Sequence, residues 1–560
     1  MKKLLALLLC LMLCTTSVAL AADYPANVHL DGTVPVVTEG EFKNTFEIIN
    51  TTPENRVIDA NELDQAVKME EATGIDLNWV GIPEAGFAEK INLMLASGDL
   101  PDMIWKGVDA SVISQYLDQD LFVPTEELIA QYAPNIQAVL DARPEYKALA
   151  TYPDGHMYGF PYIEEMFGLT MTGGPFLINK VWLDKLGLEV PTTIDELKEV
   201  LIAFRDAEDL NGNGIDDEIP YACNFVIDSD AFDSYNTFFA LMGCFGDAVS
   251  YGSNYPYCKV EDGKIVFGVL DDAFLETIKF FRDLQQEGLL YLDGFSGDGT
   301  YTYQLREEVA TVGVFGCWSP EGEIPVVEVR EQYVALPRLT GVDGGMGVRC
   351  NRSELWGTSQ SIITTECEYP EVLTALMNYL NQPEMAITTN WGTEGWSYIR
   401  RDDGVLSFDL NENGVFNVPE GFESWNDMRQ NSSPVQGGVA VLNDYYDVYA
   451  EYTYDAVQLL AFQRGNGKDE VLEEYEGKYV PPVLMTPEEQ AAYSQVLPQI
   501  KNVVRSYLVS SILDGGAEEN WESFQQSLWN AGLQTMLDNI QSAYDRYQEA
   551  YNAAVVAAAK

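Results

Sequence analysis

From Asn44 to Asn50 the chain reads Asn-Thr-Phe-Glu-Ile-Ile-Asn, alternating polar and apolar, which predicts a half-buried strand. Glu62 to Thr73 then takes helical spacing, with Leu63, Ala66, Val67 and Met69 forming one apolar stripe. Gly74 stops that helix, and Ile75 to Ile82 reads as the next strand. Phe87 to Ala96 is helical again, Ser97-Gly98-Asp99 turns, and Met103-Ile104-Trp105 is a short apolar strand. Strand, helix, strand, helix, strand at this spacing means a parallel sheet with helices on its faces.

A second α/β series follows Tyr158. Phe176-Leu177-Ile178 predicts a strand, Lys180 to Leu186 a helix, and Thr193 to about Glu208 another, opened by the capping box Thr193…Glu196. Phe274 to Gln286 reads as a helix and Val309 to Phe315 as a buried strand. Thr486 is an N-cap with Pro487 behind it; from there the chain is mostly helical, with breaks expected at Pro498 and Gly515-Gly516. Residues 23–43 are polar and turn-rich and read as a linker. The fold class is α/β, with two lobes and helical additions.

Composition narrows the chemistry. The 560 residues carry 88 Asp+Glu against 32 Lys+Arg, a formal charge of −56. Such a body repels nucleic-acid phosphates and anionic lipid, so neither is an expected partner. With His29 and His156 as the only histidines, a multi-histidine zinc site is excluded and a Ser-His-Asp or Cys-His centre disfavoured. Met1-Lys2-Lys3, the apolar run Leu4 to Leu13 and Ala19-Leu20-Ala21 have the form of a secretory signal over residues 1–22, cleaved after Ala21 or Ala22. Loss of Lys2 and Lys3 takes the net charge from −56 to −58. The alternative is a lipoprotein signal with Cys14 as the lipidated residue, although Leu13 stands where a small residue is wanted. Either way the protein works outside the cytoplasm. Cys223, Cys244, Cys258, Cys317, Cys350 and Cys367 remain, without any Cys-x-x-Cys, as buried thiols or one or two bridges.

The sharpest local motif is Asp209-Leu210-Asn211-Gly212-Asn213-Gly214-Ile215-Asp216-Asp217-Glu218. Side-chain oxygens at positions 1, 3 and 5 with glycine at 6 describe a calcium loop, because alternate oxygens converge and the glycine permits the sharp turn. Ile215 would offer its carbonyl and Asp217 its side chain. Pro220 occupies position 12, where an EF-hand places glutamate, so Glu218 must close the site. The competing reading is an Asx-turn loop with scattered acids. A second loop, Asp409 to Glu420, keeps the full EF-hand spacing, but Pro419 and Gly421 break the helix that should present Glu420. It reads as an ion site or a plain turn. Aromatics are the other resource, with 10 Trp and 31 Tyr. Their faces stack on the CH faces of sugar rings, and Trp105, Trp318, Trp391, Trp396 and Trp425 fall at strand ends or in polar, glycine-rich segments. Ligands of open α/β sheets bind at the carboxyl ends of strands, which favours Trp105 and Trp318. For any single tryptophan, packing in the core is the competing role.

Glu70-Glu71-Ala72-Thr73-Gly74-Ile75, Glu89 to Asp102, Tyr132-Ala133-Pro134-Asn135, Asp154 to Pro161, Asn179 to Leu188, Gly392 to Tyr398 and Gly532 to Asp545 form an ordered series. Together they resemble the extracellular solute-binding proteins of bacterial ABC importers, the large carbohydrate-binding group called family 1, in its lipo- and oligosaccharide-type branch. The resemblance implies a type II binding fold: two lobes of discontinuous segments, hinged, with a C-terminal helical segment. Lobe 1 is expected from 44–157 plus about 300–400, and lobe 2 from 158–299 plus about 401–560. It implies that the 209–218 loop holds a structural Ca2+ away from the sugar cleft. It implies a monomer that passes a carbohydrate to the permease subunits of its importer and catalyses nothing. The expected sugar contacts are Trp105, Tyr162, Trp318, Glu394 and Trp396. Tyr162 follows the Tyr158–Pro161 segment expected to cross between lobes.

Two other functions use the same features. A glycoside hydrolase needs two carboxylates about 5–10 Å apart across a cleft, but 88 acids supply pairs by chance and no motif singles one out. A calcium-dependent envelope protein would repeat its loops at a fixed period, which this chain does not. The acidic body favours neutral oligosaccharide over uronates unless Arg338, Arg349, Arg352, Arg400 and Arg401 offset it locally.

Overall fold

The computed structural model describes residues 24–558 except 55, 57, 166–173, 226–236, 247–254, 296–303, 342–354, 409–421, 423–427, 430, 436, 453 and 465–478. The signal segment, the second loop at 409–420, Cys350, Arg349, Arg352 and Trp425 lie outside the described residues. In chain order the strands are β1 (Thr45–Thr52), β2 (Asp76–Pro83), β3 (Met103–Trp105), β4 (Phe160–Glu164), β5 (Phe176–Asn179), β6 (Ile219–Tyr221) and β7 (Cys258–Glu261). There follow β8 (Lys264–Phe267), β9 (Val312–Gly316), β10 (Tyr333–Ala335), β11 (Leu355–Ile363), β12 (Ile399–Arg400), β13 (Leu406–Ser407) and β14 (Ala440–Val441).

One sheet has the order β14-β4-β11-β3-β1-β2 and the other β10-β5-β9-β6. In the first, β1 runs parallel to β2 and β3, and the single antiparallel strand β11 sits between β3 and β4. The β1-to-β2 connection is the expected helix, Asp64–Thr73, whose stripe buries Ala66 and Met69 and which Gly74 ends at φ +69°. Only glycine fits there without a clash: a Cβ would meet the Val37 carbonyl oxygen at 1.8 Å. In the second lobe the Thr193–Glu196 capping box is fully formed, and Leu197, Leu201 and Phe204 of its helix (Ile194–Asp206) are buried. Each such leucine contributes about 1.5–3 kcal/mol. Trp182 closes against Phe204, ring centroids 5.3 Å apart at 89°.

Strand pairing moves the lobe boundaries. β4 belongs to the larger sheet, so the chain crosses after Glu164 rather than at Tyr158–Pro161. β9 and β10 belong to the smaller sheet, so 312–335 is lobe 2, and β14 returns 440–441 to lobe 1. Residues 24–43 are not a linker: Val36, Val37 and Phe42 are buried, and Tyr24 donates to Glu371 at 2.5 Å. Three apolar side chains in a polar segment are enough to dock it.

The C-terminal helices Pro487–Leu513, Ala517–Asn530 and Leu533–Ala558 tie both lobes together. Arg282 of lobe 2 donates to the Ile512 carbonyl at 2.7 Å, Gln541 accepts from the Ile265 amide at 2.8 Å, and the last helix packs on Pro144–Ala150 of lobe 1. Pro498 does not break its helix. Buried Tyr493 and Ile500 hold both sides of it against the bundle, outweighing one lost hydrogen bond. Gly515-Gly516 breaks it as expected. No described helix is long and apolar enough to cross a membrane.

Candidate ligand-binding cleft

The carboxyl ends of β1, β2, β3, β4 and β14 share one edge of the larger sheet with the start of β11. The carboxyl ends of β6, β9 and β10 share one edge of the smaller sheet with the start of β5. The chain passes from β4 to β5, from β10 to β11, and from β14 to the helix Tyr454–Arg464 through these two edges. The edges therefore face each other across a cleft, the position in which open α/β sheets bind ligands.

Three aromatic rings meet there. Tyr162 of β4 lies 5.9 Å from Trp356 of β11, tilted by 31°, and Trp356 meets Trp318 edge to face at 5.5 Å and 86°. Trp318 follows β9, so the ladder joins the lobes. Trp356 is 36% exposed and presents much of its indole. Gly437 makes room for the ladder: at φ +71°, a Cβ there would stand 2.5 Å from the Tyr162 ring.

Polar groups surround the lobe 1 end. Glu164 ends β4 wholly buried and accepts from Asn390 Nδ2 at 2.6 Å. Burial pushes its carboxyl well above the usual range, and the Arg429 guanidinium works against that. Arg429 donates to the Asn390 carbonyl at 2.5 Å and lies over the Trp391 ring at 5.1 Å. Arg56 donates to the Ser433 carbonyl at 3.0 Å, and burial lowers it to about 10. Lys106, at φ +68° just past β3, is lowered by burial and then by Arg429.

The 209–218 loop lies in lobe 2, between the helix Ile194–Asp206 and β6. Its alternate oxygens turn inward: Asp209 accepts from the Gly214 amide at 3.0 Å, Asn211 from Asn213 at 2.9 Å and Asn213 from Ile215 at 2.7 Å. Asp217 is drawn to the amides of Asn211 and Asn213. Glu218 accepts from the Asn211 amide with one oxygen, while its other oxygen is buried with no hydrogen-bond partner. Among the described residues no three His, Cys, Asp or Glu side chains converge as an ion site. The loop's oxygens are instead mixed amide, carboxylate and carbonyl, the donor set calcium accepts.

Residues 58–386 match the family of bacterial extracellular solute-binding proteins. The substrate-binding protein FusA of a fructooligosaccharide ABC transporter, from Streptococcus pneumoniae serotype 4, is 30% identical over 518 residues, 90% of this chain and 91% of FusA. The chain belongs to the bacterial extracellular solute-binding proteins. The FusA structure in complex with kestose superposes with a TM-score of 0.70 at 28% identity, covering 90% of this chain and 100% of that one. An EF-hand mutant of S. pneumoniae FusA in complex with fructo-nystose gives 0.71 over the same shares, again at 28% identity. The two-lobed type II fold expected from the sequence is the one found, and the family is one of binding proteins, not enzymes.

In this solute-binding protein the residues singled out from sequence separate. Tyr162 and Trp318 come together through Trp356, which carries no strand signal in the sequence. Trp105 does end its strand, but it is wholly buried beside Trp79, centroids 5.7 Å apart. It is core, because Gly438 closes over its Nε1. Glu394 is exposed and lines a different cavity of about 430 Å³ with Gln65, Tyr379 and Tyr398, while Trp396 packs on Phe422 at 5.6 Å. Neither joins the ladder. Arg400 pairs with Glu384 and Arg401 with Asp403 and Glu451, and Arg338 is buried. Among the described residues, Arg56, Lys106 and Arg429 are scattered through sequence and converge only in the fold. Cys223, Cys244, Cys258, Cys317 and Cys367 are buried and form no disulfide with one another.

Proposed function

We propose that the chain captures a neutral oligosaccharide between its lobes and delivers it to the permease of an ABC importer. The observation that carries this reading is the ladder Tyr162–Trp356–Trp318, whose indoles come from opposite lobes. Lobe closure would set ring faces against the apolar CH faces of a sugar. A ligand touching both lobes stabilises the closed state by its differential affinity, so capture and closure are one event. The fructo-oligosaccharides bound by FusA are the natural first probes. Calorimetric titration with kestose and fructo-nystose, against galacturonate oligosaccharides, tests the reading. Saturable binding of the neutral sugars without product supports it; binding of the uronates alone, or cleavage, contradicts it.

The loop oxygens of Asp209, Asn211, Asn213, Asp217 and Glu218 with the Ile215 carbonyl would hold Ca2+. The buried, unpartnered Glu218 oxygen supports that assignment. There the ion would clamp the loop to β6 and contribute stability, far from the ladder in sequence. The protein would act outside the cytoplasm after export by its first 22 residues, released or held by a lipid at Cys14. Mass spectrometry of the mature N-terminus separates a start near Asp23 from a lipidated Cys14.

A further inference from the structure

Trp318 is held on both sides. Before it, the Cys317 amide donates to the Pro175 carbonyl at 3.3 Å, fixing the chain to the sheet of lobe 2. Gly174 permits this approach, since a Cβ there would stand 1.9 Å from the Cys317 carbonyl oxygen. After it, Ser319 caps the short helix Pro320–Glu323 by accepting from the Gly322 amide at 3.0 Å. The Ser319 hydroxyl in turn donates to Oδ2 of Asp455, and the Glu321 amide donates to Oδ1 of the same carboxylate at 2.8 Å. Asp455 belongs to neither neighbouring strand. It stands in the first turn of the helix Tyr454–Arg464, the far end of the third connection between lobes. That helix is fixed to β10 by Gln458, which accepts from the Ala335 amide at 3.2 Å.

We infer that Asp455 is a positioning residue: its carboxylate, carried by the third interlobe connection, clamps the Ser319–Glu321 turn and so sets the Trp318 indole against Trp356. This rests on the oligosaccharide reading above. The carboxylate sits where burial disfavours its charge, helped by Ser319, the Glu321 amide and Arg330 and opposed by Glu323. A buried charge is a poor source of stability, and its retention fits a role in fixing one geometry. The clamp, β9 and β10 all lie on lobe 2, so the indole is oriented before the lobes close on a ligand.

The test is a double-mutant cycle on kestose affinity. Asp455→Ala is expected to weaken binding about tenfold, Trp318→Ala at least as much, and the double variant no more than Trp318→Ala alone. Asp455→Asn, which keeps an acceptor for the Glu321 amide, should recover part of the loss. Multiplying effects, or wild-type affinity in Asp455→Ala, overturn the inference. A ligand-free readout separates it from the sugar assignment. The emission difference between wild type and Trp318→Phe isolates Trp318, and in the Asp455→Ala background that difference should shift to the red. An unchanged difference spectrum overturns the clamp even if kestose binds; absence of kestose binding with a shifted spectrum refutes the sugar reading and leaves the clamp standing.

Discussion

Trp318 and Trp356 stand edge to face, ring centroids 5.5 Å apart at 86°, although one follows a strand of lobe 2 and the other opens a strand of lobe 1. Such a pair contributes about 0.5–1.5 kcal/mol beyond its buried area, too little to hold the lobes together alone. Its place at the meeting of two sheet edges fits the recognition role proposed for it. Trp356→Ala is therefore expected to lower oligosaccharide affinity at least tenfold while shifting the melting temperature little, because the indole is 36% exposed. Trp105→Ala should do the reverse. It empties a wholly buried site and should destabilise the fold by about 3–5 kcal/mol. Calorimetry and thermal melts on the two variants check the contrast.

The glycines beside these rings make a second expectation. Gly437 at φ +71° and Gly438 at φ +79° approach Tyr162 and Trp105 Nε1 so closely that Cβ atoms would stand 2.5 and 2.4 Å from them. Gly437→Ala should displace Tyr162 and weaken sugar binding. Gly438→Ala should act through Trp105 and cost stability, by about 1–3 kcal/mol for strain and overpacking. Equal effects of the two on affinity would contradict this division.

Calcium should act on stability. In chelator the melting temperature is expected to fall, and addition of Ca2+ should restore it by mass action. Glu218→Gln should remove most of the response, since Glu218 brings the buried oxygen that has no other partner. A melt unchanged by chelator would show that the loop's internal hydrogen bonds suffice.

Asp455 gives a pH dependence with a definite sign. Burial raises its carboxyl from 3.8 to about 6. The folded state thus binds the proton more readily than the unfolded chain, and between pH 4 and 6 stability attributable to Asp455 falls as pH rises. The total is on the order of 3 kcal/mol. Urea melts of wild type and Asp455→Asn should therefore diverge across this window, the wild type losing ground as pH climbs. Parallel curves would contradict the shift.

Local chemistry was legible wherever one segment decides the outcome. β3 at Met103–Trp105, the helix Lys180–Leu186, the capping box at Thr193 and the N-cap at Thr486 lie where spacing puts them. What failed depended on partners remote in sequence. The crossing point was misplaced because Phe160–Glu164 reads as an apolar strand whichever sheet it joins, and only pairing with β11 and β14 decides. Trp105 has the strand-end position of a ligand platform and is buried by a glycine more than 300 residues later, at 438. Glu394 and Trp396 were carried by a glycine-rich loop, but glycine marks a turn and not the direction it faces. Trp356 and Arg429 carry no local signal at all.

The most direct measurement is calorimetric titration of kestose into wild type, Trp318→Ala and Trp356→Ala. One-to-one binding to wild type, weakened at least tenfold by each substitution while both variants stay folded, is the expected result. Unchanged affinity in both variants would place the ligand away from the two indoles and contradict the assignment of the cleft.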